Sequence, residues 1–133
     1  MKTILVADDD PAVREVLQSL LEVVYRDRIA SGALEVLTAE DGEEVAAIGC
    51  RTSLSLVLMD VNMPRLDGIE AFYRLMDVSQ TGAVKTMFLT GYGSSAMVRE
   101  RIDRAIEDGA LGWLAKPVTV AQITAIIEEH VFG

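Results

Sequence analysis

The stretch Leu54-Ser-Leu-Val-Leu-Met-Asp60-Val-Asn-Met-Pro-Arg-Leu-Asp-Gly68 decides how this chain is read. Leu54 to Met59 is a short apolar run with the length and character of a buried strand. It stops at a carboxylate, Asp60, and a loop holding Asn62, Pro64 and Asp67-Gly68 follows. An acid at the C-terminal tip of a buried strand is poorly placed for packing. It is well placed for chemistry, because α/β sheets take their ligands in the crevice outside those tips.

The same pattern recurs on both sides of this stretch. Upstream, Thr3 to Ala7 is an apolar, β-branched run that ends in Asp8-Asp9-Asp10-Pro11. Pro11 suits the first turn of a helix, and Asp10 suits its N-cap. Val13, Val16, Leu17, Leu20, Leu21 and Val24 then repeat at helical spacing and predict one apolar face. The pattern fails from Tyr25 to Ala33, with Ser31-Gly32 as a breaker. Leu34 to Ala39 reads as a second strand, Asp41-Gly42 as a turn, and Glu43 to Ile48 as a short helix with Gly49 near its end.

Downstream, Ile69, Phe72, Tyr73 and Met76 mark a third helix, and Ser79 to Gly82 reads as a loop. Thr86 to Thr90 is a fourth strand, followed by a turn at Gly91-Tyr92-Gly93. Ser94 or Ser95 caps a helix through Val98, Ile102, Ala105 and Ile106, which stops near Gly109. Leu111 to Ala115 is a fifth strand ending at Lys116-Pro117. Thr119 caps a last helix with Ile123, Ile126, Ile127 and Val131 inward. This βαβαβαβαβα alternation predicts an α/β fold, a parallel sheet with helices on both faces.

Composition narrows the function. The chain carries 21 acids against 12 bases, a formal net charge of −9, which argues against direct binding of nucleic acid or an anionic membrane. One cysteine, Cys50, rules out an internal disulfide and a multi-cysteine zinc site, and favours a reducing, cytoplasmic compartment. The apolar N-terminal run is too short for a signal peptide, and no stretch approaches the roughly 20 apolar residues that span a bilayer.

Four strand tips carry reactive side chains: Asp8 and Asp9, Asp60, Thr90, and Lys116. A strand order of 2-1-3-4-5 puts the second strand at the edge and brings the acids together at the switch point. Three carboxylates so close repel one another, and a divalent cation is the usual offset. Oxygen ligands of this kind suit Mg²⁺, with Mn²⁺ as the alternative, and not zinc. Asp60 is then the nucleophile that accepts a phosphoryl group as an acyl phosphate. Lys116 supplies a point charge to a phosphoryl oxygen, and the Thr90 hydroxyl a hydrogen bond. A phosphate-ester hydrolase of this type would need a second acid to protonate the leaving group. Val61 and Asn62 follow Asp60, so none stands two residues on.

The landmarks Val6-Ala-Asp-Asp-Asp-Pro11, Leu58-Met-Asp-Val-Asn-Met-Pro64 with Asp67-Gly68, Leu89-Thr90-Gly91 and Ala115-Lys-Pro117 together resemble the receiver domain of two-component response regulators. The match runs over nearly the whole length, and implies one receiver domain over residues 1–133 of the chemotaxis single-domain type. It implies a flavodoxin-like, doubly wound (βα)5 fold with a five-stranded parallel sheet in the order 2-1-3-4-5. Asp60 would be the phosphoacceptor, Asp9 a direct Mg²⁺ ligand, Asp8 a ligand mainly through water, and the main-chain carbonyl of Asn62 the last protein ligand. The donor would be a phosphohistidine on a sensor histidine kinase or phosphotransfer protein, and the output a downstream protein target. The domain would be a switch that assists its own phosphorylation and dephosphorylation, and not an enzyme in the ordinary sense. The rival reading is a phosphorylation-independent adaptor of the same fold.

The resemblance also implies a cis Lys116-Pro117 bond and a homodimer through the fourth helix, fifth strand and fifth helix. In this family Thr90 would move toward the phosphoryl group while an aromatic residue of the fifth strand turns inward. That residue is usually Tyr or Phe, and here it is Trp113. The stretch Tyr25 to Ala33 is also longer than the family norm.

Overall fold

The computed structural model describes residues 1–79, 82–91 and 95–133. Five parallel strands, β1 (Lys2–Ala7), β2 (Leu34–Ala39), β3 (Leu56–Asp60), β4 (Thr86–Thr90) and β5 (Gly112–Ala115), lie in the order β2-β1-β3-β4-β5. Among the described residues six helices connect and cover them: α1 (Pro11–Val24), α2 (Arg26–Ala30), α3 (Gly42–Arg51), α4 (Gly68–Val78), α5 (Ala96–Glu107) and α6 (Val120–His130). This is the doubly wound, flavodoxin-like arrangement that the resemblance implies.

Alternation within the strands builds two cores, because successive side chains of a strand point to opposite faces. Leu5, Val57, Met59 and Phe88 face the layer of α3, α4 and α5, meeting Val45, Phe72, Leu75 and Ile102. Ile4, Val6, Leu56, Leu58 and Leu89 face α1 and α6, meeting Leu17, Leu21, Ile123 and Ile127. A fully buried Leu or Phe of this kind contributes about 1.5–3 kcal/mol. The central strands β1 and β3 therefore read as unbroken apolar runs, as strands covered on both faces do.

The caps behave as their residue types dictate. Asp10 accepts from Ala12 N at 2.9 Å to start α1. Thr119 and Gln122 form a reciprocal capping box at α6, and Ser95 caps α5 through Val98 N. Lys116-Pro117 is cis. Among the described residues no helix is long and apolar enough to cross a membrane.

Several boundaries differ from the sequence reading. Tyr25–Ala33 is not irregular but contains α2, so the element order has a sixth helix. That helix is held by packing and not by an apolar repeat. Tyr25 is buried, and its ring lies 5.6 Å from that of Phe132, while the Arg28 guanidinium sits 3.8 Å from the Phe132 ring centre. β3 starts at Leu56 and includes Asp60, and β5 starts at Gly112 and not Leu111. α3 runs on to Arg51, with Gly49 inside it, and Asp41 is its N-cap as well as a turn residue. Val16 and Val24 of α1 are exposed, because the helix touches the sheet mainly through Leu17 and Leu21. Residues 80–81 of the Ser79–Gly82 loop, residues 92–93 of the turn after Gly91, and Ser94 as a cap lie outside the described residues.

Candidate functional site

The site lies where β1 and β3 end side by side. The two strands pair in parallel register, Ala7 opposite Met59, so the residues that follow, Asp8 and Asp60, emerge together. Asp8 is 1% exposed and Asp60 4%, whereas Asp9 is exposed. One carboxylate oxygen from each of Asp8, Asp9 and Asp60 lies within 4.8 Å of the others. The strand order thus brings together the three acids that the sequence singles out.

Lys116 enters from the tip of β5. Its Nζ lies 2.9 Å from Asp8 Oδ2 and 3.1 Å from Asp60 Oδ1. Burial pulls the lysine down, but its hydrogen bonds and charge interactions with Asp8 and Asp60 outweigh that and leave it above its ordinary value. Burial pushes Asp60 up, the Lys116 hydrogen bond opposes it, and the Asp8 charge adds to the rise, which carries the carboxyl to about 6. Two acids share one ammonium here, so one negative charge is left uncompensated, and removing the ammonium would leave both carboxylates unpaired.

Backbone groups fix the acids. Asp10 N donates to Asp8 Oδ1 at 2.9 Å, and Asn62 N donates to Asp60 Oδ1 at 3.3 Å. Asn62 itself is exposed at the start of the β3–α4 loop. Thr90 is 4% exposed at the tip of β4, where its carbonyl accepts Lys116 N at 2.8 Å. Trp113 stands opposite Phe88 in the β4–β5 pairing, and Thr90 opposite Ala115, so Trp113 and Thr90 share one face of the sheet. The indole is half-buried, and the Arg99 guanidinium lies 4.0 Å from its ring centre.

The sequence reading passes over Arg14. Its Nη1 donates to the Asp8 carbonyl at 2.7 Å, one turn into α1. A cation one turn beyond an N-cap that follows an acidic strand tip is the signal that could have found it.

Chemically, the cluster offers hard, anionic oxygen donors, with no histidine or cysteine in the group. That donor set fits Mg²⁺ or a similar hard cation. It also places a carboxylate oxygen of Asp60 beside a fixed positive charge, where a developing anionic group would be stabilised.

Comparison with known proteins agrees with this geometry. Residues 4–128 match the response regulator receiver domain family. The chain is 32% identical to a probable chemotaxis protein CheY of Rhizobium etli, over 98% of this chain and 92% of that protein. It is 34% identical to a protein-glutamate methylesterase/protein-glutamine glutaminase of Syntrophus aciditrophicus over 92% of this chain, but spans only 32% of that protein's length. In fold it is similar to the receiver domain of the sensor histidine kinase PA1611 of Pseudomonas aeruginosa, solved with a magnesium ion in the active-site cleft. That likeness has a TM-score of 0.76 at 23% identity and covers 99% of this chain and 98% of that one. With its strand order, its acidic strand tips and a family match over nearly its whole length, the chain belongs to the response regulator receiver domains of two-component signalling.

Proposed function

We propose that Asp60 accepts a phosphoryl group from a phosphohistidine, on a sensor histidine kinase or phosphotransfer protein, and that the chain acts as a phosphorylation switch. One observation carries this reading: Lys116 reaches across from β5 to touch both Asp8 and Asp60. A merely solvated acidic rim has no need of a half-buried lysine between its members.

In this reading an Asp60 carboxylate oxygen attacks phosphorus. The bond from phosphorus to the donor's imidazole nitrogen breaks, its electron pair returns to the ring, and an acyl phosphate forms on Asp60. Asp8, Asp9, Asp60 and the Asn62 carbonyl would hold Mg²⁺, with Mn²⁺ as a substitute, and the ion when bound neutralises charge on the phosphoryl oxygens. Lys116 keeps one oxygen of the transferred group paired, and the Thr90 hydroxyl hydrogen-bonds to another. Trp113, on the same sheet face as Thr90, follows its movement and carries the state to the outer surface of α5 and β5. The magnesium ion in the cleft of the PA1611 receiver domain supports the metal assignment. Partners downstream, and any pairing of two copies, would use that α5–β5–α6 face.

Incubation with acetyl phosphate and Mg²⁺ tests the reading. The expected result is a mass gain of one phosphoryl group, lost in Asp60→Asn, with a change in Trp113 emission. No mass gain, or a gain that survives Asp60→Asn, would overturn it, and the former would favour a phosphorylation-independent adaptor.

A further inference from the structure

The β3–α4 loop, which carries Asn62, is not held by the pocket alone. Arg65 has φ 67°, the one positive φ outside glycine among the described residues. Leu66 N donates to Pro64 O at 2.7 Å across it. A three-residue turn closed by that bond, with positive φ at its centre, is the rare and strained form of the γ-turn. Strain of this sort persists only where the surroundings enforce it, and it gathers at functional sites.

The enforcement is visible. Asp41 is 6% exposed and already fixed as the N-cap of α3, where Oδ1 accepts Glu44 N at 2.8 Å. Its other oxygen, Oδ2, accepts Arg65 Nη1 at 3.2 Å. Beside it, a Cβ on Gly42 would collide with the Leu66 carbonyl oxygen, so the loop rests directly on the start of α3. At its far end, Gly68 N donates to Val61 O at 2.9 Å, and a Cβ on Gly68 would collide with the Asp60 carbonyl. Asn62 lies between these two anchor points, with its N–H on Asp60 Oδ1.

We propose that the Arg65–Asp41 pair is a positioning device for the cation site: it holds the strained turn that sets the Asn62 main chain beside Asp60. The proposal rests on the metal-binding reading above. Arg65 touches neither metal nor phosphoryl group. It acts through the turn, with a buried, pre-oriented carboxylate as its anchor. An exposed ion pair is ordinarily worth little, but this one has a partner that cannot relax away. Glycine at this position would adopt the turn without strain. The two roles of the side chain, tether and source of strain, are therefore separable by substitution.

The test measures Mg²⁺ affinity of the full chain by calorimetry, together with metal-free thermal unfolding. In Arg65→Met the strain stays and the tether goes. Mg²⁺ affinity should fall on the order of five- to tenfold, the size of the left-handed penalty released when the turn relaxes. Asp41→Asn keeps an N-cap and should show the same loss, and the double variant should lose no more than either single one. Arg65→Gly should bind within about twofold of wild type, since it needs no tether to hold the turn. Equal affinity in wild type and Arg65→Met would overturn the proposal while leaving the metal reading intact. An equal loss in Arg65→Gly and Arg65→Met would also overturn it, because the charge and not the turn would then matter. A wild type without Mg²⁺ affinity would overturn the metal reading and this proposal with it.

Discussion

Replacing Asp60 by Asn should stabilise the metal-free protein. Asp60 is 4% exposed and shares its pocket with Asp8. Burial, with the Asp8 charge added and the Lys116 hydrogen bond opposed, lifts its carboxyl from 3.8 to about 6. A carboxyl raised by folding holds its proton more tightly folded than unfolded. Stability therefore falls as pH rises between the two values, and the loss is complete above about pH 6. At about 1.4 kcal/mol per unit, the shift amounts to roughly 3 kcal/mol as an upper bound. Asn gives up the charge-assisted bond to Lys116, so the net gain should be about 1–2 kcal/mol. For a chain of this size about 1 kcal/mol moves Tm by roughly 4 °C, so the variant should melt about 4–8 °C higher near pH 7.5. Circular-dichroism melts from about pH 3.5 to 8 read this directly. The gap should be small at the acid end, open between about pH 4 and 6, and then stay flat. Saturating Mg²⁺ should narrow it by stabilising the wild type more than the variant, which lacks one of the carboxylates that would hold the ion. A gap independent of pH, or an Asn variant that melts lower near neutrality, would refute the charge argument.

Lys116→Met removes the ammonium between Asp8 and Asp60, so Mg²⁺ affinity should hold or rise while labelling by acetyl phosphate falls at least about tenfold. A clear loss of Mg²⁺ affinity by calorimetry would contradict the role given to the lysine. Phe132→Ala deletes the ring that Tyr25 and Arg28 rest on. It should cost about 2 kcal/mol in thermal unfolding, less than a fully buried Phe, with Mg²⁺ affinity unchanged. Arg99→Ala removes the cation over Trp113 and should alter its emission at a stability cost of about 0.5–1 kcal/mol; unchanged emission would show that the stack is absent in solution.

The legible parts of this protein were those written in local pattern. Apolar runs of strand length carried the strand count, and the four of them that end in Asp8, Asp60, Thr90 or Lys116 carried the list of candidate residues. They did so because a strand buried on both faces has no use for a polar tip except at a site. Caps were equally plain: Asp10 and Thr119 bond to backbone groups two or three residues away, so their partners are known from the sequence. The helix α2 was not legible. Arg26, Asp27 and Arg28 show no apolar repeat, and the helix is held through Tyr25 and Arg28 by Phe132, about a hundred residues along the chain. The exposure of Val16 was hidden for a similar reason, since helical spacing names a face but not how much of it the sheet will cover.

Local pattern was thus enough for the alternating elements, the parallel sheet and the identity of the acids, because each depends on neighbours within one strand or one helical turn. Distances were another matter. Lys116 meets Asp8 across 108 positions, and Arg65 meets Asp41 across 24. Whether those charges face one another depends on strand order, register and a turn with positive φ. Packing settles these through contacts between residues far apart in sequence, so only the folded molecule shows that Lys116 pairs with Asp8 and Asp60 at once and that the loop is tied down from behind.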